Sequence, residues 1–152
     1  MKKITLLAYS LIVAVILSLP ACKGSGDEPK DYNAMISKSP WKIISATLDG
    51  KDEFSDLNEC YKDDLFRYQS GGSYSLEEGT TKCNTNDPQI FSEGTWSYDP
   101  DTKLLTMNQT SGSGQDGTFL VKELSSTKMV LEAPITFNGV KKTLVQQLVP
   151  VP

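Results

Sequence analysis

The sequence predicts an all-β protein made of consecutive antiparallel strands. From Trp41 onward, short runs rich in Val, Ile, Thr, Tyr, Phe and Trp alternate with Gly, Asn, Asp and Pro, which is typical of strands joined by turns. This part of the sequence lacks an apolar period of 3.6 residues over a useful length. Because most connections are short enough for neighbouring strands, we expect a meander that closes as a barrel or folds as a sandwich.

Eight strands follow from this pattern, and a short helix precedes them. The predicted strands are 41–48, 64–69, 73–77, 91–98, 103–108, 117–123, 128–137 and 140–149. Tyr32 to Lys38 predicts one or two helical turns. Asp31 would cap this helix at its N-terminus, and Pro40 would end it.

The turn after the second strand predicts the register of the first hairpin. Ser70-Gly71-Gly72 forms a three-residue loop, in which a late glycine supplies the left-handed position of a bulged turn. This loop pairs Phe66 with Leu76 and Tyr68 with Tyr74. We therefore expect these four side chains to share one face of the sheet.

The last hairpin is predicted by Asn138-Gly139, a pair that tolerates the positive φ angles of a tight turn. The paired residues on one face are Met129 with Leu148, Leu131 with Gln146, and Ala133 with Leu144. That face is apolar except for Gln146. Pro134 cannot donate to a ladder, so a bulge at this residue would shift the register.

The first 21 residues have the layout of a secretory signal peptide. Lys2 and Lys3 precede an apolar run from Ile4 to Leu19, and the small residue Ala21 follows. The run is short for a membrane span, which takes roughly 20 residues. A transmembrane anchor is the alternative interpretation.

Leu19-Pro20-Ala21-Cys22 resembles the lipobox of bacterial lipoproteins. In that family the cysteine sulfur carries a diacylglycerol and the freed amine carries a third acyl chain. The resemblance implies lipidation of Cys22 and an outer-membrane anchor, on the periplasmic or the cell-surface face. Residues 22–31, rich in Gly, Ser, Pro and charges, would form a tether, and residues 32–152 the folded domain. An ordinary secreted protein with a cysteine at its cleavage site is the alternative.

Cys60 and Cys83 are predicted to form a disulfide. Extending the register of the first hairpin brings Cys60 beside Lys82, one residue from Cys83. Both cysteines follow a secretion signal, where oxidation is expected, and the use of Cys22 for lipid leaves an even pair. Free or metal-binding thiols are the alternative, which the absence of His and of a Cys-x-x-Cys motif disfavours.

Composition excludes several functions. Removal of Lys2 and Lys3 with the signal takes the formal net charge from −4 to −6, so we expect no nucleic-acid partner, because phosphate contacts need Lys and Arg. Without His, neither a Ser-His-Asp nor a Cys-His arrangement exists. We expect no enzyme, no cofactor and no metal.

Acids gather between the first two strands, where we expect a solvated loop, with a calcium site as the alternative. These acids are Asp49, Asp52, Glu53, Asp56, Glu59, Asp63 and Asp64.

Four segments together resemble the lipocalin-like lipoproteins of Bacteroidota. They are "WKIISATLDG", "CYKDDLFRYQSGGSYSLEEGTTKC", "GTWSYDPDTKLLTM" and "TFLVKELSSTKMVLE", within roughly residues 38–148. The resemblance implies an eight-stranded antiparallel up-and-down β-barrel with a ligand cup. Lipocalins usually open with Gly-x-Trp, whereas here Ser39 takes the place of that glycine before Trp41.

The barrel interior carries the remaining functional hypotheses. An eight-stranded barrel is just wide enough to be filled by side chains or to hold one small ligand. The predicted inward face mixes rings and hydroxyls with one amide, so we expect a small, partly apolar ligand. Phe66, Tyr68 and Trp96 would provide apolar contact, and Tyr74 and Gln146 would donate or accept hydrogen bonds. The alternative is a filled barrel whose loops bind a protein or a glycan.

Overall fold

The structure is a computed structural model that describes residues 30–114 and 116–152. The predicted signal peptide, Cys22 and nearly all of the tether lie outside the described residues. Lipidation of Cys22 therefore stays a prediction.

The eight predicted strands are present, with ends that differ by a few residues at most, and two short elements join them. The helices are α1 (Tyr32–Ser37) and α2 (Glu59–Lys62). The strands are β1 (Trp41–Leu48), β2 (Lys51–Asp52), β3 (Leu65–Tyr68), β4 (Ser73–Glu77), β5 (Ile90–Asp99), β6 (Leu104–Gly112), β7 (Gly117–Leu124), β8 (Met129–Phe137) and β9 (Val140–Pro150). Neither β2 nor α2 was predicted. Both lie in the acidic segment 49–64, for which we expected a loop.

The strands close into an up-and-down barrel, which decides between the barrel and the sandwich. Each strand from β3 to β8 pairs antiparallel with the next one along the chain. Strand β1 pairs with β3 on one side and with β9 on the other, where the register runs from Trp41–Pro150 to Leu48–Leu144. Closure leaves these eight strands without a free edge apart from the short β2 extension of β1.

Both hairpin registers are as predicted. Phe66 pairs with Leu76 and Tyr68 with Tyr74, and every residue of β8 from Met129 to Phe137 pairs without a bulge. The register passes Pro134 because its partner is Thr143, whose N–H and C=O both bond to Asp49 instead. Pro134 and Thr143 therefore form a non-hydrogen-bonded pair of the antiparallel ladder, in which the two residues exchange no main-chain hydrogen bonds. The ladder between β8 and β9 thus loses no hydrogen bond through the missing N–H of Pro134.

Helix α1 closes one end of the barrel. Asp31 caps it as predicted, because its carboxylate accepts a hydrogen bond of 2.9 Å from the Ala34 N–H. Ile36 is fully buried against the core. The indole N–H of Trp41, a residue only 1% exposed, donates to the Ile36 carbonyl over 2.7 Å. We call this end, where β1 begins, the closed end. The opposite end, which includes the Asn138-Gly139 turn, is the open end.

The predicted disulfide is present, with the Cα atoms of Cys60 and Cys83 5.1 Å apart. The predicted cause of the pairing is wrong, because the ladder between β3 and β4 ends at Leu65–Glu77 and does not reach the cysteines. Asp63 joins the two segments instead. Its carboxylate accepts hydrogen bonds from the Thr80 hydroxyl and from the N–H groups of Thr80 and Thr81, at 2.8, 2.8 and 2.9 Å.

Candidate functional site

Most of the predicted ligand-binding rings lie in the packed core. Tyr68 is 2% exposed, Tyr74 and Trp96 are also buried, and Phe66 is half-buried against the same cluster. The rings of Tyr68 and Trp96 meet edge to face with centroids 5.4 Å apart. The Trp96 N–H donates to the Gln69 carbonyl over 2.9 Å. Burial raises the pKa of Tyr68, whose hydroxyl contacts the Met107 sulfur at 3.4 Å. These rings belong to the packed core, although Tyr74 and Trp96 also border separate recesses.

Gln146 lies apart from the rings, toward the open end. Alternation along β9 gives Leu144, Gln146 and Leu148 the same inward face, and Leu148 is in the core. Gln146 is half-buried, two residues closer to the open end. It lines a recess of about 400 Å³. The structure therefore separates Gln146 from Tyr68, Tyr74 and Trp96.

This recess, which we call the apolar recess, is formed by strands β1, β8 and β9 and by the segment before α2. Its residues are Ala46, Leu48, Glu53, Asp56, Leu57, Ile135, Phe137, Leu144 and Gln146. Cross-strand pairing of Ala46 with Gln146 and of Leu48 with Leu144 places the amide between aliphatic groups. Within the described part of the chain, the Gln146 side chain makes no hydrogen bond. Its amide is thus available to a ligand or to water.

A second recess, of about 550 Å³, lies at the same end; we call it the acidic recess. It is lined by Tyr61, Asp64, Glu78, Cys83, Asp87, Pro88, Phe91, Gly112 and Ser113. Burial, then the negative charges of Glu78 and Asp63, raise the pKa of Asp64 to about 6, although the Gly79 N–H opposes this. Sequence reasoning missed this site. The signal was available, because the register that pairs Phe66 with Leu76 also brings Asp64 opposite Glu78.

The acids of segment 49–64 are largely used within the fold. Asp49 accepts the Thr143 N–H over 2.8 Å, and Asp52 accepts the Phe54 N–H over 2.9 Å. Glu59 forms an ion pair with Lys62 over 2.8 Å. Among residues 30–114 and 116–152, no group of three or more His, Cys, Asp or Glu side chains is placed to hold a metal ion.

The same residues contain no helix that is both long enough and apolar enough to cross a membrane.

Comparison with known proteins identifies one family. Residues 39–131 match the family described as "Lipocalin-like domain". No curated protein sequence matches the chain.

Solved structures of low sequence identity are similar to the chain. A DUF4847-family protein from Bacteroides vulgatus is 12% identical with a TM-score of 0.47, and the match covers 75% of this chain and 93% of that one. Bovine odorant-binding protein with its natural ligand is 14% identical with a TM-score of 0.46, over 83% and 77% of the two chains. The same bovine protein with a selenium-containing odorant gives 14% and 0.42, over 83% and 76%.

Proposed function

The chain belongs to the lipocalin-like domain family, and from that premise we propose that it is a membrane-anchored, non-enzymatic protein that binds a small, partly apolar molecule at the open end of its barrel. The observation that carries the proposal is the apolar recess, in which the Gln146 amide, without a hydrogen-bond partner among the described residues, lies in a largely apolar lining that also includes Glu53 and Asp56. Ligand sites typically enclose about 300–1,000 Å³ and combine apolar walls with a few polar groups that orient the ligand. A recess of about 400 Å³ with Gln146 in its wall fits that description.

In this proposal the apolar contact comes from side chains other than the predicted rings. Tyr68, Tyr74 and Trp96 are packed in the hydrophobic core and are not among the residues that line the apolar recess. Leu48, Ile135 and Leu144 would contact the ligand directly. Gln146 keeps the role that the sequence suggested, because its amide can both donate and accept a hydrogen bond.

The membrane anchor rests on the sequence around Cys22. A single myristoyl chain gives only marginal membrane binding, whereas three acyl chains on one cysteine would hold the protein at the membrane permanently. The anchor would place the domain at the outer membrane, on the periplasmic or the cell-surface face. Intact-mass measurement of protein from its own cells tests this. Acyl chains on Cys22, lost in Cys22→Ala, are expected, and unmodified soluble wild-type protein would contradict the anchor.

A fluorescent apolar probe tests the binding function. We expect N-phenyl-1-naphthylamine to gain fluorescence with the wild-type protein and to lose most of its affinity for Ala46→Phe, which fills the apolar recess. The matched control is Thr136→Phe, which adds the same ring on the exposed outer face of β8. Equal affinity for all three proteins would remove the apolar recess from the proposal.

A second candidate function is supported by exposed apolar side chains around the open end. Leu57, Tyr61, Ile90, Phe137 and Val140 are all exposed there, and such patches often mark contact surfaces. In this alternative, the loops bind a protein or a glycan and the recess stays empty. Loss of partner binding in Val140→Ser, with unchanged probe affinity, would favour it over the binding of a small molecule.

A further inference from the structure

The acidic recess has the properties of a binding site in its own right. It is larger than the apolar recess and shares no lining residue with it. Three carboxylates line it, from Asp64, Glu78 and Asp87, and no Lys or Arg of the described residues does. Two lysines lie close by. The Lys82 ammonium donates to the Asp87 main-chain carbonyl over 2.6 Å, and Lys42 lines a neighbouring recess that Glu78 also borders.

Glu78 is the residue that points to a ligand. It is only 8% exposed, and among residues 30–114 and 116–152 its carboxylate forms neither an ion pair nor a hydrogen bond. Buried charges are ordinarily paired, because removing a carboxylate from water is costly. Glu78 nevertheless lines the recess.

Asp64, which lines the same recess as Glu78, also has a carboxylate oxygen without a partner among the described residues. The Oδ1 atom of Asp64 is buried and has no hydrogen-bond donor within the described residues. The Oδ1 atom of the neighbouring Asp63 is likewise buried without a donor, but the Oδ2 atom of Asp63 accepts three hydrogen bonds from Thr80 and Thr81. Among the described residues, neither Asp64 nor Glu78 forms an ion pair.

The rest of the lining suits an organic cation better than a metal ion. Tyr61, Pro88 and Phe91 give the recess an apolar wall with two rings, and aromatic faces attract ammonium groups. Calcium takes six to eight oxygen ligands, whereas no three acidic side chains of the described residues are grouped closely enough for a metal.

We propose that the acidic recess binds an ammonium group carried on a small apolar body, with Glu78 and Asp64 as its acceptors. The amine fits between the two carboxylates, and the apolar body lies against Phe91, Pro88 and Tyr61. This site is separate from the apolar recess, so it does not depend on the function proposed above.

The test compares two fluorescent probes that share a ring system. Dansylcadaverine carries a primary amine on a flexible chain, and dansylamide lacks it. At pH 8 we expect wild-type protein to bind dansylcadaverine at least tenfold more tightly than dansylamide. Equal affinities for the two probes, or displacement of dansylcadaverine by calcium at micromolar concentration, would overturn the proposal.

Variants locate the site. Glu78→Gln and Asp64→Asn should each weaken dansylcadaverine binding about fivefold to tenfold and leave dansylamide unchanged. Glu59→Gln is the matched control, since it removes the same charge from the exposed face of α2. Ala46→Phe should not change amine affinity, which separates this site from the apolar recess. Unchanged affinity in Glu78→Gln would overturn the proposal.

The pH dependence of the wild-type protein gives an independent result that needs no variant. The charges that face Asp64 are those of Glu78 and Asp63, and the Gly79 N–H is the one opposing group. Protonation of Asp64 below about pH 6 removes one acceptor. Dansylcadaverine affinity should therefore fall between pH 7.5 and pH 5, while dansylamide affinity stays level. A flat profile for both probes would contradict the assignment.

Discussion

The two ends of the barrel are built from the same strands but differ in how their polar groups are satisfied. At the closed end, Trp41 and Trp96 are buried, and each indole N–H donates to a main-chain carbonyl. At the open end, the Gln146 amide and the carboxylate of Glu78 have no partner among the described residues, and apolar side chains such as Phe137 remain exposed. The closed end is organised for stability, whereas the open end leaves apolar surface and polar groups free for binding.

The largest expected effect is a difference in stability between the two ends. Trp41→Ala should lower the free energy of unfolding by about 3–5 kcal/mol, because it empties the packed closed end and removes the hydrogen bond to Ile36. Phe137→Ala at the open end should cost below about 1 kcal/mol, since the side chain is 46% exposed. Urea denaturation measures both. Similar costs for the two variants would contradict the contrast between the ends.

The disulfide should be the main source of stability at the open end. Replacing Cys60 and Cys83 together by Ala should cost roughly 3.5 kcal/mol in the chain-entropy model, given their separation of 23 residues. The midpoint of thermal unfolding should fall by several degrees. Amine affinity at the acidic recess should also drop, because Cys83 is part of its lining. An unchanged midpoint would show that Asp63 alone holds the two segments together.

Neutralising Asp64 and neutralising its neighbour Asp63 should change the stability of the fold in opposite directions. The folded pKa of Asp64 is raised to about 6, so its carboxyl binds protons more tightly in the folded state and its charge lowers stability as pH rises from about 4 to about 6. Asp64→Asn should therefore raise stability at pH 8, on the order of 1 kcal/mol because solvent at the mouth screens part of the charge. That gain should vanish below about pH 4.

Asp63→Asn is the comparison for that experiment. Burial raises the pKa of Asp63, but hydrogen bonds from Thr80 and Thr81 outweigh it and hold the pKa below its usual value. The charge of Asp63 therefore stabilises the fold above the unfolded pKa and ceases to do so as pH falls through the folded pKa. Asp63→Asn should lower the midpoint of thermal unfolding at pH 8. The same sign of change in both variants would contradict the assigned environments.

The smallest expected effect on stability is that of Gln146→Leu. The side chain is half-buried between Ala46 and Leu131, where leucine fits without strain, so the free energy of unfolding should change by less than about 1 kcal/mol. Affinity for a ligand that bonds to the amide should fall by about fivefold to tenfold, the equivalent of one hydrogen bond. A loss of stability without a loss of affinity would assign Gln146 to the fold alone.

The sequence predicts local features of this fold well, because turn chemistry determines them. Asn138-Gly139 and Ser70-Gly71-Gly72 set both hairpin registers correctly. Asp31 caps α1 as expected. Strand β2 and helix α2 escaped prediction since they are too short for a periodic pattern.

The candidate site was harder to predict because it depends on which half of the barrel is filled. Tyr68 and Gln146 both point to the inward face of the sheet. Periodicity cannot show that Tyr68 lies in the core and Gln146 at the open end. Continuing the register of the first hairpin from the Phe66–Leu76 pair to the next pair on the same face would have placed Asp64 opposite Glu78. Their burial, however, depends on α2 and the 83–88 segment, whose positions follow from tertiary packing.

Native mass spectrometry of protein purified gently from its own cells tests the central claim most directly, namely that the open end holds a small molecule. We predict a wild-type mass that exceeds the covalent mass by a small, dissociable ligand. The ligand should be absent from Ala46→Phe and retained by Thr136→Phe. A wild-type protein without any dissociable ligand, and with no affinity for apolar probes, would contradict the claim.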